Sequence, residues 1–258
     1  YPRLVTAFDD PVGNVAWSRD GKWLAFDVSP GGGLNTQIYL ARPDGTEVRR
    51  ITSGGEVNNN LGFFSENGRW LSYTSNERDP AATDPYLYEL ATGRVTRVLE
   101  GAGITDLSDV SSDGKHALVF RLPSRGSNDL YLRDLATGEE RELTTHSGPG
   151  TFFGDIAPDG RTVYLGSNKD RDRLAFARID VSKPKRPGKI EVLAARDDAE
   201  LSNFVLDEAG ERAVLVWSVG GRSELELYDI ADGTRRPMSA PPGEIVGDFA
   251  FTRDGARA

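Results

Sequence analysis

Apolar residues fall in short runs along the whole chain, and each run is closed by a polar cluster that contains glycine, as in Trp23-Leu24-Ala25-Phe26 or Thr162-Val163-Tyr164-Leu165. No window keeps the i, i+3, i+4, i+7 apolar spacing of an amphipathic helix beyond about two turns. The pattern therefore predicts short strands from end to end. One phrase recurs six times. It reads Ser18-Arg19-Asp20-Gly21-Lys22-Trp23, Ser65-Glu66-Asn67-Gly68-Arg69-Trp70, Ser112-Asp113-Gly114-Lys115-His116 and Pro158-Asp159-Gly160-Arg161-Thr162, with weaker copies at Glu208-Ala209-Gly210-Glu211 and Arg253-Asp254-Gly255. Its glycines, at 21, 68, 114, 160, 210 and 255, are separated by 47, 46, 46, 50 and 45 residues.

An Asp-Gly or Asn-Gly pair between two apolar runs supplies the positive-φ residue of a hairpin turn, so each phrase predicts a β-hairpin. The run after the turn is almost continuously apolar, which suits a strand covered on both faces. A second hairpin follows in each full unit, for example Gln37-Ile38-Tyr39-Leu40, the turn Asp44-Gly45, then Glu47-Val48-Arg49-Arg50-Ile51-Thr52. Two hairpins per period make a four-stranded antiparallel blade, and serial blades at this period predict an all-β propeller. The blades are expected near 13–52, 58–99, 104–144, 150–193 and 201–238, with a sixth begun at 245–258, all in a single domain spanning 1–258. Because the sixth hairpin stops at its start and no initiator Met precedes Tyr1, the chain is expected to be a segment truncated at its C-terminal end. Arg3-Leu4-Val5-Thr6, similar to Arg49-Arg50-Ile51-Thr52, is the expected outer strand of a closing blade.

Composition narrows the function classes. A net charge of -9 and a pI near 4.9 oppose generic nucleic-acid or anionic-membrane binding. No apolar stretch approaches the ~18 residues of a spanning helix. The basic cluster Lys183-Pro184-Lys185-Arg186-Pro187-Gly188-Lys189 reads as a solvated, proline-stiffened loop. Zero cysteines rule out disulfides, thiolate metal sites and Cys nucleophiles, and leave the compartment open.

Candidate chemistry concentrates on the first strand of each repeat, which in a propeller lines the central channel. Aligned there are Asn14, Asn60, Asp106, Asn203 and Asp248, with Asp109 and Asp155 a little further along, so a polar, weakly acidic lining is expected. Such a level suits a cation or a cationic peptide end. It is equally what a water-filled channel demands of any propeller. Long connections at Ser29–Thr36 and Ser75–Pro85 offer Arg78 and Asp79 as recognition candidates. No Gly-x-Ser-x-Gly elbow occurs, so no catalytic residue is assigned. His116 and His146 read as a strand and a loop residue. No metal or cofactor is expected, because no stretch has metal-ligand spacing.

The phrase Ser-x-Asp-Gly-Lys/Arg before an apolar strand, then Ile/Leu-Tyr-Leu, then Asp/Thr-Gly, then Arg-x-Ile/Leu-Thr, resembles the repeats of TolB-type propellers and of the propeller domain of prolyl oligopeptidase family serine peptidases. Tyr73-Thr74-Ser75-Asn76-Glu77-Arg78-Asp79 leading to Asp84-Pro85-Tyr86-Leu87-Tyr88 looks most like the acylaminoacyl and dipeptidyl peptidase branches. That resemblance implies a non-catalytic domain that gates and docks peptide substrates for a covalently linked α/β-hydrolase domain outside this chain. The short acidic insertion that grips a substrate N-terminus in the dipeptidyl peptidases has no counterpart here. The alternative is a free-standing six-bladed TolB-like propeller that binds proteins. Homo-oligomer formation is compatible with either reading. A propeller enzyme working through its own channel is disfavoured by the lack of a histidine or carboxylate cluster.

Overall fold

The computed structural model describes residues 4–183, 188–239, 243–247 and 249–252. Its strands form five four-stranded antiparallel sheets, each built from consecutive strands in sequence order. The first holds β1 (Val12–Trp17), β2 (Leu24–Val28), β3 (Gln37–Ala41) and β4 (Arg49–Arg50), and the second holds β5 (Asn59–Phe64), β6 (Trp70–Ser75), β7 (Asp84–Glu89) and β8 (Val95–Arg97). The third comprises β9 (Ile104–Val110), β10 (His116–Ser124), β11 (Ser127–Asp134) and β12 (Glu140–Glu142). The fourth has β13 (Phe152–Ile156), β14 (Thr162–Ser167), β15 (Ala175–Asp180) and β16 (Glu191–Ala194), and the fifth β17 (Glu200–Leu206), β18 (Arg212–Val219), β19 (Arg222–Asp229) and β20 (Arg235–Pro237). Among the described residues the helical content is a single 3-10 turn, Pro30–Gly32. The sixth phrase, and Asp248, lie outside the described residues.

The repeated phrase owes its recurrence to local hydrogen-bond chemistry. In the first sheet the Ser18 hydroxyl donates to Asp20 Oδ1 (2.8 Å) and accepts from the Trp23 N–H (2.8 Å), while the Lys22 N–H donates to the same carboxylate oxygen (3.1 Å). The Gly21 N–H closes the turn on the Ser18 carbonyl, with Gly21 at φ 69°, where a side chain would be strained. Ser65 with Asn67, and Ser111 with Asp113, repeat the same set of bonds. In the third repeat the serine that closes the turn is thus Ser111, one residue before the Ser112 at which the sequence phrase begins.

The strand after each turn is the covered one, as its unbroken apolar run predicts. Leu24 to Val28 are all buried, and so are Val163 to Leu165 and Ala213 to Trp217. The outermost strands are short and exposed: β4 and β8 carry Arg49, Arg50 and Arg97, which blunts an edge that could otherwise pair with another chain. The Thr of the Arg-x-Ile/Leu-Thr phrase has a definite task. Thr52 Oγ1 accepts from the Ile38 N–H (3.1 Å) and Thr144 Oγ1 from the Leu130 N–H (2.9 Å), extending the ladder of strand three where strand four ends.

The chain divides into two compact units, Tyr1–Pro123 with Arg133–Glu139, and Ser124–Leu132 with Glu140–Ala258. In the first unit, Trp23, Ala25, Ile38 and Leu40 pack against Phe64, Leu71, Tyr73, Tyr86 and Tyr88 to join its first two sheets. In the second, Tyr164, Phe176 and Ala194 pack against Leu201, Phe204, Leu215, Trp217 and Tyr228. Polar clips also join neighbouring sheets at the start of the third strand of the first three. Gln37 Nε2 donates to the Val57 carbonyl (2.8 Å), and Asn59 Nδ2 to that of Thr36 (2.9 Å). The Thr83 hydroxyl donates to the Thr105 carbonyl and accepts from the Thr105 N–H, both at 2.9 Å. In the second unit Asn128 Nδ2 donates to the Phe152 carbonyl (2.7 Å) while its Oδ1 accepts from the Phe152 N–H (3.0 Å).

Candidate functional site

The first strands carry most of the polar residues singled out above, and the structure gives nearly all of these a bonding partner within their own sheet. In β1 the register skips between Val12 and Val15, forming a bulge. Asp27, buried on β2, supports it: its carboxylate accepts from the Asn14 N–H (3.0 Å) and from Asn14 Nδ2 (2.8 Å). A Cβ on Gly13 would stand 2.2 Å from Asp27 Oδ1, so any side chain there would push Asp27 off its bonds to Asn14. The same solution recurs in β5, where the register skips between Leu61 and Phe64 and the Phe63 N–H donates to Ser72 Oγ (2.9 Å). Asn60 reaches Thr74 Oγ1 at 3.1 Å.

In β9 the bulge lies beside Leu107 and Asp109. Asp106 Oδ1 accepts from the Leu107 N–H and Asp109 Oδ1 from the Val110 N–H, each at 2.7 Å. Half-buried Asp106 is the electrostatically unusual member of the group. Burial raises its carboxyl to about 6, and the Leu107 N–H offsets only part of that rise. In the second unit, β17 has its irregularity between Leu201 and Asn203, and Asn203 Oδ1 accepts from the Phe204 N–H (2.8 Å). Asp155 lies half-buried on β13, opposite Tyr164. β13 pairs with no bulge, and its Gly154 lies so close to the Tyr164 carbonyl that a Cβ would be 2.4 Å from the oxygen. Asp248 lies outside the described residues.

Arg78 and Asp79 sit in the connection between β6 and β7. The Arg78 guanidinium forks onto Asp84, Nε to Oδ2 at 2.7 Å and Nη2 to Oδ1 at 2.8 Å, and Nη2 also donates to the Gly101 carbonyl (2.8 Å). Asp84 is 1% exposed, and its Oδ1 accepts a further bond from the Gly101 N–H (2.7 Å). Arg78, with help from that N–H and from Arg97, holds the Asp84 carboxyl below the usual range despite its burial. Asp79 Oδ1 accepts from the Ala81 N–H at 2.9 Å. This pair of loop residues therefore shapes the loop and fastens it to the entry of β9.

Two arrangements escape sequence reasoning. One is Asp27, a carboxylate inside an otherwise apolar run. The other, in the second unit, is His146, whose Nε2 lies 3.3 Å from Asp129 Oδ1 while its ring packs on Phe152 (5.3 Å between centroids). Its Nδ1 is buried and without a partner, and Gly150 leaves the room the ring occupies, since a Cβ there would lie 2.6 Å from it. Adjacent histidine, glycine and proline residues in a loop gave no hint that an aspartate seventeen positions earlier would face the ring. Among the described residues no group of three His, Cys, Asp or Glu side chains is placed to hold a metal ion. Among those residues, too, no helix is long and apolar enough to cross a membrane.

The arrangement of sheets has known counterparts. A prolyl endopeptidase, from a study of inter-domain dynamics in catalysis and specificity, superposes with a TM-score of 0.72 over 90% of this chain and 36% of its own, at 21% identity. TolB from Acinetobacter baumannii superposes with a TM-score of 0.62 over 93% of this chain and 57% of its own, at 22% identity. The chain has the propeller fold of TolB and of prolyl endopeptidase. In sequence it is 31% identical over 144 residues to the Tol-Pal system protein TolB of Wolinella succinogenes. It spans about a third of the length of the TolB relatives it matches, 32% and 36% for the first two. No family model matches it.

Proposed function

We propose that this chain is a non-catalytic propeller domain that binds polypeptide. The observation that carries the reading is the agreement of two independent likenesses, in sequence to TolB and in fold to the propeller of a prolyl endopeptidase. The electrostatics support it. First-strand carboxylates such as Asp106 and Asp109 favour cationic groups, and a net charge of -9 favours basic partners over nucleic acid. The roles these residues play in capping bulges also supply a fixed, polar strand surface, which costs little ordering entropy on binding.

More specifically, the domain docks and gates peptide substrates for a serine peptidase whose hydrolase domain is covalently linked to it. The fold match to a prolyl endopeptidase favours this assignment. A TolB-like binding module is the second reading, favoured by the sequence match to TolB. The two separate on one experiment, labelling the native polypeptide that contains these residues with a fluorophosphonate probe for activated serine. Labelling outside residues 1–258, blocked by a peptide substrate, supports the peptidase reading. An unlabelled polypeptide that still captures a protein partner supports the TolB-like one.

A further inference from the structure

In four of the six turn phrases the residue before the glycine is aspartate, at positions 20, 113, 159 and 254, whereas the second sheet has Asn67. Asn67-Gly68 is also the sole Asn-Gly pair in the chain. We propose that Asn67 is a deamidation site gated by the opening of its own turn, and that the folded sheet accepts the aspartyl product without rearrangement.

The chemistry needs only water. The Gly68 nitrogen attacks Asn67 Cγ and forms an N–Cγ bond, the Cγ–Nδ2 bond breaks, and the side-chain nitrogen leaves as ammonia with the Gly68 amide proton. One water then opens the cyclic imide. Cleavage at Cγ yields aspartate; cleavage at the backbone carbonyl carbon yields isoaspartate. Glycine is the favoured neighbour because no Cβ obstructs its nitrogen and it tolerates the required backbone angles.

In the closed turn the attacking N–H and the side-chain carbonyl oxygen are both engaged elsewhere. The Gly68 N–H is donated to the Ser65 carbonyl (2.9 Å). Asn67 Oδ1 accepts from the Ser65 hydroxyl (2.9 Å) and from the Arg69 N–H (3.0 Å). Nδ2 lies against Gly114, where a Cβ would come within 3.1 Å of it. Attack therefore requires the Gly68 hydrogen bond to break and the amide to turn, which amounts to local opening of the β5–β6 hairpin.

Acceptance of the product follows from the neighbouring repeats. Asp20 and Asp113 receive the same serine hydroxyl and backbone N–H bonds that Asn67 receives. Lys22 and Ser18 hold Asp20 at about 2; at Asp113 partial burial pushes upward, but Ser111 and Lys115 outweigh it and bring it to about 2. A carboxylate at 67 would meet the same serine hydroxyl and backbone N–H, although the side chain two residues on is here Arg69, whose Nε donates to Glu89 Oε1 (2.8 Å), in place of a lysine. Isoaspartate inserts a methylene into the backbone and cannot keep both turn bonds.

The test is peptide mapping by mass spectrometry of the full chain, incubated folded and in denaturant at mildly alkaline pH, together with an Asn67→Asp variant. Conversion at Asn67 should be at least about tenfold slower in the folded chain, and Ser65→Ala, which removes one lock, should raise the folded-state rate. Asn67→Asp should match or exceed the parent Tm at neutral pH. Any excess should vanish as the pH falls below about 4, because a carboxylate with a depressed folded pKa stabilises only while ionised. Equal rates folded and denatured, or no conversion in denaturant, would overturn the gate or the site. A lower Tm for Asn67→Asp would overturn product acceptance.

Discussion

Replacing Asp106 by Asn should stabilise the protein at neutral pH, and the size of the gain can be worked from its surroundings. The carboxyl is raised from 3.8 to about 6 by burial on β9. A rise of about two units corresponds to about 3 kcal/mol of penalty for carrying the charge at neutral pH, which solvent access to a half-buried group reduces to about 1–2 kcal/mol. Asparagine is nearly isosteric, and its Oδ1 can still accept from the Leu107 N–H, so the substitution removes the charge and little else. For a chain of this size each kcal/mol moves Tm by roughly 2–4 °C, giving an expected rise of about 2–8 °C. The pH dependence carries the stronger test. The folded state binds this proton more tightly than the unfolded chain, so the parent loses stability as pH rises between about 4 and 6 while the variant does not. Melting curves across that range should therefore coincide near the acid end and separate toward neutrality. A difference in Tm that is constant with pH, or a variant less stable at neutral pH, would refute the reasoning.

Further consequences follow from the same geometry. Arg78→Ala strands the buried Asp84 carboxylate and should lower the urea midpoint clearly. Arg78→Lys should recover only part of the loss because a lysine cannot make the fork, and the difference should fade as the pH drops below about 4, where the unfolded carboxyl protonates. Gly154→Ala and Gly160→Ala should behave differently: the first meets the Tyr164 carbonyl at 2.4 Å and should impair folding, whereas the second meets open space at φ 63° and should cost about 1 kcal/mol of turn strain by thermal melts. A comparable loss in both would mean that β13 does not pack as closely as its register indicates.

Much of the fold is legible in the sequence because its determinants are local. A serine two residues before Asp-Gly, or before Asn-Gly, closes the same turn wherever it occurs, since all the partners lie within six residues. Strand two is legible for a related reason: burial on both faces leaves few polar positions to break the apolar run, Asp27 being the charged one in β2. The bulges of β1, β5, β9 and β17 are not, because an extra residue in a strand changes neither composition nor apolar content. Gly13 and Gly62, each a glycine within a first strand, are the faint trace they leave. Arg78 is visible as a charged loop residue, but its partner Asp84 lies across a turn of the chain, and nothing in the sequence says that the two ends of that loop meet. Asp27 is obscured by its apolar neighbours, although an aspartate in such a run must find donors once buried.

The central claim, polypeptide binding without chemistry in this chain, is tested most directly by fluorescence anisotropy of labelled unfolded basic peptides titrated with the 258-residue chain. The account predicts saturable binding that weakens with added salt, with the peptides recovered intact afterwards. Anisotropy that stays flat at the highest protein concentration, or peptides cleaved by the chain itself, would contradict it.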